Sequence, residues 1–344
     1  MNILIVRLGA LGDIVHALPA AAALRAAMPD ARIDWLVDAK HRPVLDLVQG
    51  LDRIVALNGS SVSAWIDVVR RLRQVPYYAA LDMQGLMKSA VLARASGARR
   101  IAGFSIWHLR EKTARPFYSA TDDFMDSGDQ RASHHVIYKN LHLLRVIGVD
   151  TERVVFPFVD VESPVANGVQ AADGGGPFAL LNPGAAWPNK RWPPERFGEV
   201  ATFLREVRGL RSVVLWGPGD EELAASVVRA SNGAAKEAPA TGIADLIALS
   251  RAATLCVSGD TGPVHLAAAV GTPVVAIFGP TDPDRNGPWA PDDVVVGRYA
   301  SCRCHYKRQC RNSQWCLEDV SVAEVTAAIQ RRLGSSGPGS SRDV

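Results

Sequence analysis

The sequence predicts an α/β protein in which two doubly wound domains each contain a parallel β-sheet. Short apolar runs typical of strands alternate with longer stretches typical of helices, and this alternation occurs in both halves of the 344-residue chain. A glycine-rich segment without apolar periodicity, 166–176, lies between the halves. Because strands that alternate with helices are joined by right-handed crossovers, we expect the strands of each half to run parallel in one sheet.

The individual elements follow from local patterns. In the first half, apolar runs predict strands over 2–7, 32–37 and 79–83, and an alanine- and leucine-rich stretch predicts a helix over 14–28 that ends before Pro29. In the second half, the same patterns predict strands over 178–182, 212–216, 254–258 and 274–278, with helices over 194–207, 221–231 and 263–270.

The chain is therefore expected to form an N-terminal domain over 1–165, a linker over 166–176 and a C-terminal domain over 177–333. The last segment, 334–344, is rich in glycine and serine, and we expect it to be disordered. Ligands of open α/β sheets bind outside the carboxyl ends of the strands. We accordingly expect the two domains to face a central cleft that holds the site.

Composition and charge exclude several classes of protein. Apolar residues make up 48% of the chain, which excludes a disordered or collagen-like protein. The 38 Lys and Arg residues against 35 Asp and Glu residues give a net charge of +3, which is too small to indicate nucleic-acid binding. No apolar run approaches the roughly 18–20 residues that span a bilayer. Arg7 and Asp13 interrupt the apolar N-terminal stretch, so we interpret it as a strand rather than a signal peptide and expect a cytoplasmic protein.

The first candidate motif, Gly9-x-x-Gly12-Asp13, lies where the first predicted strand turns into a helix. Glycines permit a tight turn and a close approach of the backbone to a ligand. The motif is not a complete G-x-G-x-x-G, which disfavours an NAD-dependent oxidoreductase. Two roles fit Asp13: it can complement the positive end of the helix dipole, or it can act as a general base that accepts a proton from an attacking hydroxyl.

A second motif, DMQGLMKS over 82–89, also follows a predicted strand. Gln84 and Lys88 suit ligand contact at this position, although capping and turn formation explain such residues as well. A third motif, NPGAAWPNKRWP over 182–193, places Lys190 and Arg191 at the end of another strand. These two cations suit a phosphate, and the alternative is a solvated surface pair.

The fourth motif, SGDTGPVHLAAA over 258–269, is the most specific. Small residues and unbonded backbone N–H groups at a helix start form a phosphate cradle without a metal. Asp260 or Thr261 is a plausible N-cap, and Pro263 favours the first helical turn. His265 falls in that same turn, where a packed or capping histidine is the alternative to a ligand contact. Gly279 follows the next predicted strand, 274–278, where a small residue again suits contact with a ligand.

Together these blocks resemble one known family. The opening ILIVRLGALGDIVHALPA, the block DMQGLMKS, the block NPGAAWPNKRWPPERF and the block SGDTGPVHLAAAVGTPVVAIFGPTDP are similar to family 9 glycosyltransferases, the ADP-heptose:lipopolysaccharide heptosyltransferases. The resemblance runs in order over the chain from Met1 to Leu333. It implies the GT-B fold, in which two Rossmann-like domains face a cleft.

The resemblance also implies an activity and roles for particular residues. Heptose would pass from ADP-heptose to a hydroxyl of the lipopolysaccharide inner core, with inversion at the anomeric carbon and with no cofactor required for catalysis. Asp13 matches the catalytic base, and Lys190 matches the cation that stabilises the departing diphosphate. The implied donor-binding residues are Gly184, Lys190, Arg191, Asp260, Thr261, Gly262, His265 and Gly279.

Acceptor binding is expected in the N-terminal domain. The predicted residues there are Gly9, Gly12, Gln84 and Lys88, with the basic clusters Arg70, Arg71, Arg73 and Arg110, Lys112, Arg115. Such clusters suit the carboxylates and phosphates of Kdo-lipid A or inner-core lipopolysaccharide. They would also hold the enzyme peripherally on the anionic cytoplasmic face of the inner membrane. Solvated helix faces explain any single one of these residues equally well.

Four cysteines crowd one late segment: Cys302, Cys304, Cys310 and Cys316. An extracellular disulfide framework would spread its cysteines along the chain. The C-x-C spacing departs from the usual zinc pair, so a structural metal, reduced thiols and disulfides all stay open. The segment resembles type II heptosyltransferases, whereas the opening of the chain and the 82–89 block resemble type I.

Two alternatives to the lipopolysaccharide enzyme remain. One is a family 9 transferase that acts on another acceptor, such as a protein or another polysaccharide. The other is a non-catalytic protein that binds a nucleotide sugar, although a pure binding protein has no need of both Asp13 and Lys190. The sequence leaves the attacked hydroxyl and the oligomeric state open.

Overall fold

The structure, a computed structural model, describes residues 1–122, 134–310 and 313–334. The chain divides into two compact units, Met1–Asp160 (unit 1) and Val161–Val344 (unit 2). Among the described residues, every helix is too short or too polar to cross a bilayer.

Unit 1 is built on a six-stranded sheet in which all neighbouring strands are parallel. Its strands are β1 Asn2–Val6, β2 Arg32–Asp38, β3 Arg53–Leu57, β4 Ala79–Asp82, β5 Arg100–Phe104 and β6 Ala120–Asp122. The order is β3-β2-β1-β4-β5-β6. The strands β2 and β3 therefore lie on one side of β1, and β4, β5 and β6 lie on the other side. The order reverses between β1 and β4, and their carboxyl ends are where a doubly wound sheet binds ligands.

The described helices of unit 1 are α1 Leu11–Val15, α2 Leu18–Ala27, α3 Arg42–Leu45, α4 Val62–Arg73, α5 Met87–Ala95 and α6 Val136–His142. Short 3-10 segments cover Ala39–His41, Lys112–Phe117 and Leu143–Ile147. The predicted single helix over 14–28 is wrong, because two helices, α1 and α2, occupy this stretch. Pro19 explains the break, since it has no N–H to bond to the carbonyl of Val15 and its ring clashes with that carbonyl.

Unit 2 repeats the architecture with a second six-stranded parallel sheet in the order β12-β11-β10-β7-β8-β9. Its strands are β7 Phe178–Asn182, β8 Arg211–Val214, β9 Ala235–Glu237, β10 Leu255–Gly259, β11 Val274–Phe278 and β12 Val294–Gly297. The predicted class of two doubly wound parallel sheets is confirmed. The order reverses between β7 and β10, which are the strands that precede the third and fourth sequence motifs.

The helices of unit 2 are α7 Pro164–Ala171, α8 Pro194–Arg208, α9 Glu221–Ala230, α10 Ile243–Ala252, α11 Gly262–Ala269, α12 Pro283–Asn286 and α13 Val322–Gly334. Short 3-10 segments cover Ala172–Gly174, Pro188–Lys190 and Cys316–Asp319. The strands β7, β10 and β11 are buried along their whole length, as expected for central parallel strands covered by helices on both faces.

The segment predicted as a linker, 166–176, is partly helical. Ser163 caps α7, since its hydroxyl accepts a hydrogen bond from the N–H of Ala166 at 2.9 Å, and Pro164 occupies the first helical position. These two residues start the helix just before the stretch that appeared unstructured. The predicted domain limits stay predictions, although the boundary between the compact units falls between Asp160 and Val161. The predicted tail lies outside the described residues from position 335 onward.

Candidate functional site

In unit 1, the turn from β1 into α1 lies at the carboxyl edge of the sheet, and Asp13 is the third residue of α1. A side chain at Gly9 would place its Cβ only 2.7 Å from Cδ2 of His41, so a larger residue requires this imidazole or the turn to shift. Gly12 is buried in the first turn of α1. Gly9 therefore permits the close approach of His41 to the turn that leads to Asp13.

The carboxylate of Asp13 is held by two groups of the protein. Its Oδ1 atom lies 2.7 Å from Nη2 of Arg7, and its Oδ2 atom accepts a hydrogen bond from the N–H of Ala10 at 3.2 Å. The side chain keeps 26% of its surface exposed, which leaves room for a further hydroxyl group to reach a carboxylate oxygen. The site thus presents a fixed carboxylate that can accept another hydrogen bond.

The second motif is organised around Asp82, the buried last residue of β4. Its Oδ1 atom accepts hydrogen bonds from the N–H groups of Gln84 and Gly85, and its Oδ2 atom accepts hydrogen bonds from the hydroxyls of Ser89 and Tyr118. Burial raises the pKa of Asp82 above its ordinary value, and these hydrogen bonds act against that shift. The carboxyl group fixes the turn that begins the 82–89 block.

Gln84 links the two motifs of unit 1. Its Oε1 atom accepts a hydrogen bond from the N–H of Leu8 at 2.7 Å, which fastens the loop after β4 to the loop after β1. Lys88 is half-buried at the second position of α5. The structure therefore brings the predicted acceptor residues Gly9, Gly12, Gln84 and Lys88 to one edge of the sheet, and their role in acceptor binding stays a prediction.

The basic cluster Arg110, Lys112 and Arg115 lies beside this edge. The N–H of Glu111 donates to the carbonyl of Gly85 at 3.2 Å, so the segment after β5 packs on the 82–89 block. The side chains of Arg110 and Lys112 are exposed, whereas Arg115 donates from Nη1 to the carbonyl of Tyr118 at 3.1 Å. Two of the three cations are therefore available to an anionic ligand near the loops.

The cluster Arg70, Arg71 and Arg73 lies at the opposite edge of the sheet. Helix α4 runs back from the carboxyl edge, and Arg53, the first residue of β3, donates from Nη2 to the carbonyl of Arg71 at 2.9 Å. Arg73 donates from Nε to the carbonyl of Ala95 at 3.0 Å. The structure does not bring this cluster together with the motif loops, and its position does not favour the predicted acceptor role.

In unit 2, Asp260 is the centre of a buried polar cluster. Its Oδ2 atom accepts hydrogen bonds from Nζ of Lys190 and from Oγ1 of Thr281, both at 2.5 Å. Its Oδ1 atom lies 3.1 Å from Nε2 of His265. These residues come from the loops after β7, β10 and β11 and from the first turn of α11, so three neighbouring strand ends build one cluster.

The surroundings of Asp260 keep its carboxyl group ionised. Burial alone would raise its pKa, but the hydrogen bond from His265 and the charge and hydrogen bond of Lys190 together lower the pKa below its ordinary value. An ionised carboxylate can only accept hydrogen bonds, so Lys190, Thr281 and the His265 ring act as donors to it. The Lys190 ammonium is consequently held in one place, and it also lies 4.6 Å from the centroid of the Trp187 ring.

The start of α11 adjoins this cluster. Thr261 is the N-cap residue, and Asn182 of β7 donates from Nδ2 to Oγ1 of Thr261 and to Oγ of Ser258, both at 2.9 Å. The first N–H groups of a helix have no acceptor within the helix, and the Gly262 position leaves the backbone uncovered by a side chain. The arrangement can therefore bind an anion beside the Lys190 ammonium.

Arg191 and Gly184 build the loop after β7. Arg191 donates from Nε to the carbonyl of Ala185 at 2.9 Å, and its Nη2 lies 3.1 Å from Oδ1 of Asp220. A side chain at Gly184 would place its Cβ only 2.3 Å from Oδ2 of the same carboxylate, so a larger residue there would displace Asp220 from Arg191. The guanidinium predicted to contact phosphate thus already has protein partners, and its donor-binding role stays a prediction.

The cysteine segment packs beneath the same loops. Sγ of Cys302 lies 3.4 Å from Sγ of Cys304, and Nδ2 of Asn189, the residue before Lys190, lies 3.7 Å from Sγ of Cys304. A Cβ on Gly279 would lie 3.3 Å from Sγ of Cys316, so the segment also adjoins the loop after β11. Cys302, Cys304, Cys310 and Cys316 are all free thiols.

The structure thus favours thiols over the disulfide alternative. Burial raises the pKa of Cys302 and of Cys316, which keeps both protonated. Within 1–122, 134–310 and 313–334, no group of three or more His, Cys, Asp or Glu side chains is arranged to hold a metal ion.

Sequence reasoning missed several residues that the structure places in these clusters. Arg7 was noted only as a charge that interrupts the apolar stretch, although a charged residue at the end of a buried strand is itself a signal. Thr281 and Asn182 stand inside quoted motifs but were not selected as site residues. Asp220 follows the glycine-containing turn after β8, and no signal in the sequence singled it out.

Comparisons with known proteins find similar proteins over most of the chain. The family model described as glycosyltransferase family 9 (heptosyltransferase) matches residues 52–316. Lipopolysaccharide heptosyltransferase 1 of Pseudomonas aeruginosa is 27% identical over 327 residues, which cover 90% of this chain and 87% of the relative.

Two solved structures share the fold. Escherichia coli heptosyltransferase WaaC with ADP has a TM-score of 0.73 at 22% identity, with 97% of this chain and 98% of that chain covered. A family 9 glycosyltransferase from Veillonella parvula has a TM-score of 0.79 at 22% identity, with 97% of each chain covered. The predicted GT-B class is thereby confirmed.

Proposed function

Because this chain is a glycosyltransferase that belongs to glycosyltransferase family 9, we propose that it transfers a heptose from ADP-heptose to the Kdo/heptose inner core of lipopolysaccharide. The name of its Pseudomonas aeruginosa relative supports the heptose and the lipopolysaccharide, and the solved structure of WaaC with ADP supports the nucleotide of the donor. Several curated relatives carry the name heptosyltransferase 1, which favours the type I activity over type II.

One observation in unit 2 carries the donor assignment: the Lys190 ammonium is fixed by buried Asp260 next to the N-terminus of α11. A nucleoside diphosphate gains negative charge when its bond to the sugar breaks. A positive ammonium and unbonded N–H groups placed at that charge stabilise the transition state more than the ground state. We assign Lys190 and the Asp260-Thr261-Gly262 turn to the diphosphate, with His265 and Thr281 holding Asp260.

In unit 1, we assign the general base to Asp13. In a single displacement, an acceptor hydroxyl forms the new bond to the anomeric carbon while the bond from that carbon to the diphosphate oxygen breaks. The hydroxyl proton passes to the Asp13 carboxylate, and ADP leaves with the electron pair of the broken bond. One displacement inverts the anomeric configuration, and it requires one base and one group that stabilises the leaving charge.

The mechanism assigns no step to a metal or an organic cofactor, since Lys190 and the helix N-terminus supply the positive charge. We propose that the exposed side chains of Arg110 and Lys112, together with the loops that carry Gln84 and Lys88, contact the anionic acceptor. An acceptor anchored in a bilayer requires the enzyme to work at its surface. We therefore propose a cytoplasmic protein that associates peripherally with the anionic face of the inner membrane.

The decisive experiment measures ADP release from ADP-heptose, with and without Kdo-lipid A, for the wild type and for Asp13→Asn. A matched control is Asp46→Asn, because Asp46 also pairs with an arginine of unit 1, Arg42 at 3.3 Å, but is exposed and lies outside the motifs. We expect ADP release that requires the acceptor, falls by a factor on the order of 1,000 in Asp13→Asn and is unchanged in Asp46→Asn. Calorimetric titration with ADP should give the same affinity for all three proteins.

Other outcomes separate the alternatives. ADP binding without turnover on Kdo-lipid A, but with turnover on a protein or another polysaccharide, would show that the acceptor is not lipopolysaccharide. The assignment of ADP-heptose as the donor would stand. ADP binding without turnover on any of these acceptors would favour a binding protein that has no catalytic role. A protein that binds neither ADP nor ADP-heptose would contradict the donor assignment. Inversion is tested separately by nuclear magnetic resonance of the new glycosidic bond.

A further inference from the structure

Arg7 follows β1 directly and points a charged side chain into the interior of unit 1. Only 5% of the residue is exposed. Its main chain is fixed on both sides, since its N–H donates to the carbonyl of Leu36 at 3.1 Å and its carbonyl accepts from Nε1 of Trp35 at 3.1 Å. A charged residue is rarely buried unless it is paired, so this position requires a partner with the opposite charge.

The guanidinium of Arg7 bridges two different strand ends. Its Nη1 donates to the carbonyl of Met83, which follows β4, and its Nη2 lies 2.7 Å from Oδ1 of Asp13. The planar guanidinium holds these donors in a fixed relative geometry. The position of the Asp13 carboxylate is therefore tied to the rigid central strands as well as to its own short helix.

The second carboxylate oxygen of Asp13 is also held by a hydrogen bond. Oδ2 accepts from the N–H of Ala10 at 3.2 Å, so each oxygen has one protein donor and keeps lone-pair capacity for another hydrogen bond. If Arg7 lost its charge, Asp13 would lose its ion-pair partner and the fixed position of Oδ1. The carboxylate would then be able to rotate away from its fixed orientation.

We propose that Arg7 is a positioning residue for the transfer reaction: it holds the Asp13 carboxylate in one orientation toward the attacking hydroxyl. The proposal rests on the assignment of Asp13 as the base. Arg7 itself, almost fully buried, does not contact either substrate.

His41 is a further titratable group near Asp13, and neighbouring groups shift its pKa in opposite directions. His41 lies over Gly9, and burial together with the charge of Lys40 lowers the pKa of its imidazole, while Asp38 and Asp13 raise it. The pKa of His41 therefore lies below its ordinary value. Arg7 is the charged side chain, among those described, that forms an ion pair with Asp13.

The test compares Arg7→Met and Arg7→Lys with a matched control, Arg53→Met. Arg53 is also a partly buried arginine of unit 1 that pairs with an aspartate, since its Nε lies 3.2 Å from Oδ2 of Asp34, but it lies at the amino edge of the sheet. Each variant is purified as the full chain and characterised by thermal unfolding, by ADP binding, and by kcat and KM for ADP-heptose.

We expect kcat of Arg7→Met to fall by a factor on the order of 100, because a misplaced catalytic group costs about that much. The affinity for ADP should not change. Arg7→Lys keeps the charge but not both bridges, so we expect an intermediate kcat and an unchanged affinity for ADP. Arg53→Met should lose stability and keep kcat.

Arg7→Lys decides the question if Arg7→Met does not fold. A kcat of Arg7→Lys equal to that of the wild type would then contradict positioning by the guanidinium fork. For a folded Arg7→Met, a kcat within about threefold of that of Arg53→Met would overturn the proposal. Failure of the function itself is distinguishable: if Asp13→Asn turns over normally, Asp13 is not the base, whatever the Arg7 variants do.

Discussion

Nζ of Lys190 lies 2.5 Å from Oδ2 of Asp260, and the two residues come from loops that follow the adjacent strands β7 and β10. The exposed fractions of their side chains are 15% and 6%, so the ion pair is largely withdrawn from water. A buried pair of this kind is sensitive to the loss of either partner, because the remaining charge is left uncompensated. The cation assigned to the diphosphate is thus held by a residue of the neighbouring strand.

Replacing Lys190 should impair catalysis more than it impairs folding. For Lys190→Ala, we expect kcat for ADP release to fall roughly 100- to 1,000-fold, as is typical when one preorganised electrostatic group is removed. Lys236→Ala is the matched control, since Lys236 pairs with Asp173 at the same 2.5 Å distance but both side chains are largely exposed. Equal kcat values in the two variants would contradict the assigned role of Lys190.

Asp260 should make the stability of unit 2 depend on acidity. Its pKa is lowered in the folded state, so the stabilisation is fully present above the unfolded value near 3.8 and is lost as the pH falls below it. We expect the Tm of the wild type to fall between pH 5 and pH 3 more steeply than the Tm of Asp260→Asn.

Glu324 provides a control that separates the effect of a carboxylate on acid stability from its effect on catalysis. Hydrogen bonds from the N–H and hydroxyl of Ser321 and from Arg298 lower the pKa of Glu324 to about 2, but Glu324 lies far along the chain from the motif loops, at α13. Glu324→Gln should also flatten the acid dependence of Tm while ADP release stays normal. Asp260→Asn should lose ADP release, because the Lys190 ammonium no longer has a fixed partner. Normal turnover by Asp260→Asn would refute this prediction.

Thr281→Val tests whether the hydrogen bond from Thr281 to Asp260 contributes to binding of the nucleotide. Valine keeps the shape of threonine but loses the hydroxyl, and a hydrogen bond to a charged group contributes about 1.5–3 kcal/mol. We expect the affinity for ADP to weaken roughly tenfold or more as Asp260 and Lys190 become less fixed. Thr272→Val is the control, because the equally buried Thr272 hydroxyl donates to the carbonyl of Ser250 at 2.6 Å outside the cluster. It should lower Tm without changing ADP affinity, and matching affinity losses would exclude a specific role for Thr281.

Gly9→Ala should disturb the turn that leads into α1 and to Asp13, because the new Cβ would clash with the His41 ring. The new Cβ would lie 2.7 Å from Cδ2 of His41, so the ring or the loop must shift, and we expect kcat to fall at least about tenfold. The double variant Gly9→Ala/His41→Ala should recover most of this loss, measured as a double-mutant cycle. Gly168→Ala is the control, since a Cβ there has open space and alanine favours the helix. An unrecovered double variant would show that the collision is not the cause.

The accuracy of the predicted elements varied with their burial. The limits of β7 and β11 were predicted correctly, because central parallel strands are buried on both faces and appear as continuous apolar runs. The strands β3, β5, β6, β9 and β12 were missed. Of these, the edge strands β6, Ala120–Asp122, and β9, Ala235–Glu237, are only three residues long and carry charged residues. The helix over 14–28 was predicted without its break, although Pro19 marked it.

The candidate site was partly predictable for a similar reason. Asp13, Lys190, Asp260 and His265 follow strand ends or begin helices, and the position of a ligand site in an open α/β sheet follows from that local context alone. The cluster Arg70, Arg71 and Arg73 could not be judged in this way. Its charge pattern is the same at either edge of the sheet, and only the direction of α4 places it at the edge away from the motif loops.

The sequence by itself determined the class of two parallel sheets, seven of the twelve described strands, and the short blocks in which the chemistry resides. Those features depend on local periodicity and on residues within a few positions of a turn. Only the tertiary structure decided that Arg7 pairs with Asp13, that Thr281 and Lys190 share Asp260, and that Gln84 joins two loops. These partners meet because the strand order brings distant segments together, and pairing of polar groups in the interior depends on three-dimensional distance rather than on separation along the chain.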